Sequence, residues 1–285
     1  MRTLIFGALG QLGRDLVATF KEHGAAVMGV DLDEADVVSR DSVESICADF
    51  KPAVVVNAAA YTDVDGAEDH EAEAFRINEE GARNVALAAR QCDAPVVYYS
   101  TDYVFDGTST RPYEPDDPLC PLGVYGRSKA AGEKAVREAN PRHFIIRTAW
   151  LYGPGGNNFV EKIRALAQKR DTLRVVYDEV GSPTHTADLA RVTVELAHTE
   201  AYGTYHAVNA KVCNRYQLAC AIVRLAGLGT TIEPCPSAEY PSKAQRPAYS
   251  ALSNKKLETV TGVFMPTWEI ALEEYFARNS QSSGP

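Results

Sequence analysis

The chain begins with an apolar run, "TLIF" (3–6), passes a glycine-punctuated turn into a helical window (11–23), and returns to an apolar run, "AVMGV" (26–30). The alternation then repeats. Runs at "AVVVN" (53–57), "PVVYYS" (95–100) and "HFIIRT" (143–148) are separated by helical windows near 41–50, 70–92 and 125–138. These runs are rich in Val and Ile and do not alternate with polar residues, which is the pattern of strands covered on both faces. Strand–helix repetition predicts an α/β fold with a Rossmann-like, doubly wound parallel sheet. Further strands are predicted at 173–177 and 204–208, and a helix at 187–198.

The second half is less regular. "NRYQLACAIVRLA" (214–226) reads as an amphipathic helix capped by Asn214. Residues 233–249 are proline-rich and loop-like, and a last helix is predicted over 267–278. The division that follows is a dinucleotide-binding domain over 1–150 with 173–210, and a smaller C-terminal α/β lobe over 151–172 with 211–278. The polar "NSQSSGP" (279–285) is expected to be a disordered tail. The segment 106–123 carries four prolines, and a loop of that length inside a compact domain is usually functional.

Composition narrows the function classes. The 285 residues suit one large domain with a smaller lobe. A formal net charge of −9 argues against nucleic-acid binding, which needs a basic face. No run reaches the roughly 18 apolar residues of a membrane span. The N-terminus enters a strand with no signal-peptide pattern, so a cytoplasmic protein is expected. The six cysteines form no CxxC and the six histidines show no ligand spacing. Buried reduced thiols are expected, and no metal site is read from them.

Chemistry enters at two places. In "LIFGALGQLGRDL", Gly7, Gly10 and Gly13 lie between the first strand and the first helix. Gly7 permits the turn, Gly10 lets the backbone approach a pyrophosphate, and Gly13 allows close helix–strand packing. The helix start, with Gln11 and Leu12, would then favour the anion. Asp31, at the end of the second strand, is placed to accept from the adenosine ribose hydroxyls. Its charge favours NADH over NADPH, although Arg14 and Arg40 could offset the repulsion of a 2′-phosphate. Ala58, Ala59 and Ala60 offer small side chains at the end of the third strand, where cofactor could lie.

The second place is "YYSTDYVFDG" followed by "VYGRSKAAGEKA". Ser100, Thr101 and Asp102 fall just past the carboxyl end of the fourth strand, where a doubly wound sheet faces its ligand crevice. Tyr125 and Lys129 are one helical turn apart and share a face. An ammonium at Lys129 is expected to lower the Tyr125 pKa and make the phenol a usable acid. Lys129 would also hold the nicotinamide ribose.

With these residues in view, the chain resembles an extended short-chain dehydrogenase/reductase and, more narrowly, the dTDP-4-dehydrorhamnose reductase family. The matching stretches include "GALGQLGRDL", "VVVNAAAYTDVDGAE", "STDYVFDG", "YGRSKAAGE", "IIRTAWLYG", "DEVGSPT" and "AQRPAYSALSNKKL". The resemblance implies a catalytic set of Thr101, Tyr125 and Lys129, with a nucleotide-sugar substrate and NADPH or NADH as cofactor. It implies that Thr101, Asp102, Tyr103, Trp150, Asn158, Phe159 and Arg246 contact the substrate. The guanidinium of Arg246 suits a diphosphate. A homodimer is implied, and some members carry a divalent cation such as Mg2+ between subunits. Asp15 and Asp188 fall where its ligands could lie, without a convincing full set. Gly66 stands where the family usually has lysine. A different class stays open: a non-catalytic, dinucleotide-binding regulatory subunit similar to the β subunit of methionine adenosyltransferase, on "YQLACAI" and "AQRP".

Overall fold

A computed structural model describes residues 1–240 and 242–281. The chain builds β1 (Arg2–Phe6), α1 (Gln11–Glu22), β2 (Ala26–Val30), α2 (Arg40–Phe50) and β3 (Val54–Asn57). Two short helices follow, α3 (Val64–Ala67) and α4 (Glu71–Phe75). A π-helical stretch (Arg76–Gly81) leads into α5 (Ala82–Gln91). The larger unit continues with β4 (Val96–Thr101), α6 (Val124–Ala139) and β5 (His143–Thr148). Next come β6 (Leu151–Tyr152), α7 (Phe159–Ala167), β7 (Thr172–Val176), β8 (Val180–Gly181) and β9 (Thr184–His185). They lead into α8 (Thr186–Ala197) and β10 (Gly203–His206). The chain ends with β11 (Cys213–Asn214), α9 (Arg215–Leu225), β12 (Thr231–Cys235), α10 (Lys255–Thr261) and α11 (Trp268–Gln281).

Six strands pair in the order β10-β5-β4-β3-β1-β2, all parallel. β3 and β4 are wholly buried, as continuous Val runs require. Leu12, Leu16 and Phe20 of α1 and Leu189, Val192 and Leu196 of α8 cover one face of the sheet. Val43 and Cys47 of α2, Val85 and Ala89 of α5, and Val136 and Ala139 of α6 cover the other. Strand order reverses between β1 and β3, and a ligand crevice is expected beyond their carboxyl ends.

The smaller core gathers Val160 and Ile163 of α7, Leu218 and Ile222 of α9, Leu272 of α11, and Leu173 and Val175 of β7. β7 pairs with β12, not with the central sheet. This corrects the assignment of all of 173–210 to the larger domain: residues 172–176 belong with the small sheet. Asn214 caps α9 through a full capping box with Gln217. α11 runs through Gln281, so residues 279–281 are helical against the expectation of a disordered tail, and the rest of that expected tail, 282–285, lies outside the described residues. Among the described residues no helix is long and apolar enough to cross a membrane. All six cysteines are free, but Cys120 is exposed and Cys92 and Cys220 are half-buried, against the expectation that all six would be buried.

Candidate active site

The glycine turn is shaped by its missing side chains. Gly7 has φ +74°, and a Cβ there would lie 2.6 Å from the Ala59 nitrogen. A Cβ on Gly13 would lie 2.0 Å from the Gly7 carbonyl oxygen, so α1 can approach β1 only with glycine there. On Gly10 the nearest atom would be the Gly7 oxygen at 3.2 Å. That position opens on a cleft of about 410 Å³ lined by Gly7, Gly10, Asp31, Leu32, Asp36 and Ala58–Ala60. No side chain caps the start of α1, which leaves first-turn N–H groups for a ligand anion. Gln11 is held by Asn158 Nδ2 at 2.8 Å. The Leu12 side chain is in the core, so it can serve a cofactor only through its main chain.

Asp31 accepts from the Leu9 amide through Oδ2 and from the Leu32 amide through Oδ1, both at 2.9 Å. These bonds fix the carboxylate at the cleft, flanked by Leu9 and Leu32, which are 65% and 69% exposed. Glu34 accepts from the Asp31 amide at 3.0 Å and adds a second acid beside it. The two arginines that could have offset these charges are engaged. Arg40 pairs with Glu44 at 2.7 Å, and Arg14 Nε donates to the Leu9 carbonyl at 2.8 Å.

Beyond β4 the chemical residues converge. Thr101 is buried; its hydroxyl donates to Asp102 Oδ1 at 3.0 Å and accepts from the Tyr103 amide at 3.2 Å, with the Tyr125 phenol beside it. The Tyr125 ring meets Tyr103 edge-on at 5.7 Å. Burial pushes the Tyr125 phenol up from its ordinary value, Asp102 and Tyr103 push it further, and the Thr101 hydroxyl acts against them. The expected lowering by Lys129 is therefore corrected: Tyr125 stays a protonated acid. Lys129 is 3% exposed with its Nζ 4.2 Å above the Tyr98 ring. Burial drops it to about 7, partly opposed by Glu133.

Ser100 does not face the crevice. It donates to the buried Glu133 at 2.6 Å, because strand alternation turns it away from its neighbour Thr101. Glu133 also takes Arg147 Nε and Nη2, each at 2.8 Å, and Arg137 at 2.6 Å. Asn78, in the π-helical stretch, went unnoticed in the sequence. It is buried and bonds the Tyr61 amide, the Tyr61 carbonyl and Ser128, which fastens the segment after β3 to α6. A break in helical regularity is the signal that could have found it.

On the lobe side, Trp150 adopts φ +47°, a conformation that a bulky residue rarely takes. Its indole packs where a Cβ on Gly181 would lie 2.7 Å from Cε2, and the Arg215 guanidinium sits 3.5 Å over the ring. Arg215 pairs with Glu179 at 3.6 Å and lies 5.0 Å from the Phe159 ring. Sequence reading used this stretch only for its cap and missed the arginine. Arg246 donates to Asp65 at 2.9 Å, with the Tyr103 side chain near it. Asn158 caps α7 by accepting from Glu161 at 3.0 Å, and its amide is spent on Gln11, Gly153 and Gly156. Asp102, 1% exposed, accepts from Ser250 at 2.6 Å as well as from Thr101.

Of the residues implied for a divalent cation between subunits, Asp15 has a buried Oδ2 with no hydrogen-bond partner among the described residues, and Asp188 is engaged. Asp188 accepts from Asn209 at 2.8 Å and lies 3.7 Å from Arg191. Among the described residues no group of three or more His, Cys, Asp or Glu could hold a metal ion.

The profile of a family described as "RmlD substrate binding domain" matches residues 1–281. A spore coat polysaccharide biosynthesis protein, SpsK, of Bacillus subtilis is 41% identical, covering 99% of both chains. A dTDP-4-dehydrorhamnose reductase of Aggregatibacter actinomycetemcomitans is 39% identical, covering 95% of this chain and 97% of its own. The crystal structure of a dTDP-4-dehydrorhamnose reductase of Bacillus anthracis in complex with NADP superposes with a TM-score of 0.95. It is 38% identical and covers 97% of this chain and 99% of its own.

Proposed function

The chain belongs to the RmlD substrate binding domain family, and from that premise we propose that it is an NAD(P)H-dependent reductase. The substrate in this reading is a dTDP-4-keto-6-deoxy sugar, dTDP-4-dehydrorhamnose, and the product is dTDP-L-rhamnose. The observation that carries the proposal is the meeting of Thr101 and Tyr125, with Lys129 one turn on, in a chain whose near-full-length relatives are named for this reduction.

The cleft fits a dinucleotide. The unfilled space at Gly10, the uncapped start of α1 and the Asp31 carboxylate answer a pyrophosphate and an adenosine ribose. A bound, reduced nicotinamide supplies the hydride to the sugar's C4. Tyr125, kept protonated by burial, gives its proton to the C4 oxygen, and Thr101 orients both groups. Lys129 serves the ribose, and Trp150 with Arg215 walls the sugar side. Arg246 would turn from Asp65 to the diphosphate as a bidentate partner. The acids at Asp31 and Glu34, with Arg40 already paired, favour NADH. A homodimer belongs to the same reading.

The test is direct. Protein incubated with dTDP-4-dehydrorhamnose and NADH or NADPH should consume the cofactor, followed by absorbance. A protein that binds cofactor and reduces no 4-keto nucleotide sugar would instead be the regulatory subunit weighed above.

A further inference from the structure

Two carboxylates are buried near the active site, and they are held in opposite ways. Glu133 is fixed by Arg147 and Arg137, cations that can only donate. Asp102 has hydroxyl partners on both oxygens: Thr101 on Oδ1 at 3.0 Å and Ser250 on Oδ2 at 2.6 Å. A hydroxyl can donate or accept, so this pair can partner either a carboxylate or a carboxylic acid. No ion pair to Asp102 occurs among the described residues. The charged and titratable groups around it are Arg215 from α9, Tyr125 from α6 and the adjoining Tyr103, which itself faces Arg246 and Glu179.

The proton count at Thr101 gives this a consequence. Its hydroxyl has one proton and already accepts from the Tyr103 amide. While that proton goes to Asp102, it is not available to the Tyr125 oxygen, on which the Thr101 hydroxyl acts to ease loss of the phenol proton. With Asp102 protonated, the chain reverses: carboxyl donates to Thr101, Thr101 donates to the Tyr125 oxygen, and the Tyr125 proton is free.

We infer that Asp102 is a positioning and proton-holding residue, which acts on Tyr125 through Thr101 and is set by Ser250 of the lobe. The inference rests on the reductase reading. In the step, hydride from the nicotinamide reduces C4 and the Tyr125 O–H bond breaks as an O–H bond forms on the C4 oxygen. The phenolate takes the Thr101 proton, Thr101 takes the Asp102 proton, and Asp102 is left as carboxylate for solvent to reprotonate. Burial pushes the Asp102 carboxyl up to about 6, against the bonds from Ser250 and Thr101 and the attraction of Arg215, so both forms are populated near neutrality.

The pH dependence of kcat for reduction tests this, together with an infrared titration of the carboxylic C=O band in protein without substrate. Reduction requires protonated Asp102, so kcat should fall about tenfold or more as pH rises through about 6. Asp102→Asn should abolish the fall centred near 6 and the matching infrared band, leaving only a fall set by Lys129, which burial drops to about 7. Ser250→Ala removes a bond to the carboxylate form and should move both midpoints up by about one pH unit. A fall still centred near 6 in Asp102→Asn overturns the inference, as does an Asp102 band already absent at about pH 5. If Asp102→Asn fails to fold, an unshifted Ser250→Ala profile overturns it equally. A protein that reduces no keto sugar removes the reductase reading, and the infrared titration still decides the protonation of Asp102.

Discussion

Arg147→Met tests the frame that holds the catalytic strand end. Arg147 is 2% exposed and Glu133 is fully buried, and Arg147 gives Glu133 two hydrogen bonds at 2.8 Å. Its remaining Nη1 donates to the Pro115 carbonyl at 2.9 Å and lies 3.3 Å from His206 Nε2. Methionine keeps the apolar stem and deletes all of this. Removing one partner of a buried pair costs roughly 3–5 kcal/mol. Glu133 retains Ser100 and the half-exposed Arg137, so the lower end, about 3 kcal/mol, is expected. For a chain of this size that is a fall in Tm of about 6–12 °C. The sign with pH follows. Arg147 holds Glu133 below the usual carboxylate range, so its stabilisation is present above the unfolded pKa and is lost as pH falls through the depressed folded one. Without Arg147, burial raises that carboxyl and acid favours the fold, so the gap in Tm between the two proteins should narrow on acidification. Thermal melts at neutral and mildly acidic pH read both effects. Glu133→Gln added to Arg147→Met should recover part of the loss, since a neutral amide needs no cation. A Tm within about 2 °C of wild type, or a gap that does not narrow in acid, would refute the reasoning.

The other predictions concern the cleft. Tyr125→Phe keeps the ring against Tyr103 and removes the proton, so kcat should drop about 10²–10⁴-fold with cofactor affinity nearly unchanged, whereas Lys129→Met should damage both; reduction rates and NAD(P)H titrations separate the two. Asp31→Asn should raise the NADPH-to-NADH ratio of kcat/KM, and a wild type that strongly prefers NADPH would defeat the charge argument. Gly10→Val meets little protein, only the Gly7 oxygen near 3.2 Å, so it should fold; crowding the pyrophosphate should weaken cofactor binding at least about tenfold, or 1.4 kcal/mol, and unchanged affinity would count against the glycine cleft.

What the sequence made legible was local. The strand at 143–148 matches residue for residue because a doubly covered strand needs an unbroken apolar run. The one at 26–30 matches in its bounds but lies at the sheet edge with Ala26, Met28 and Gly29 exposed, against the expectation that both its faces would be covered. The glycine turn and the Tyr125–Lys129 spacing were readable because each lies within one turn or one helix. β12 was hidden because Pro234 sits inside it, a residue that argues against a strand until a parallel edge partner, β7, is seen. Arg215 over Trp150 and Ser250 on Asp102 join residues 65 and 148 positions apart, and no local pattern encodes such meetings.

One miss had a signal. Ser100, Thr101 and Asp102 were read together as crevice residues, yet alternation along β4 sends Tyr98 and Ser100 to one side and Thr101 to the other. On α6, Lys129 and Glu133 recur one turn apart on the stripe that begins at Tyr125. Laying the two periods side by side pairs Tyr98 with Lys129 and Ser100 with Glu133, both contacts the structure contains, and leaves Thr101 turned the other way. The buried ion pair and the Lys129 position thus belong to a single strand–helix match, on the same helix that begins with Tyr125. A change at Ser100 or Glu133 should therefore reach Tyr125 through the position of α6, with no contact to substrate.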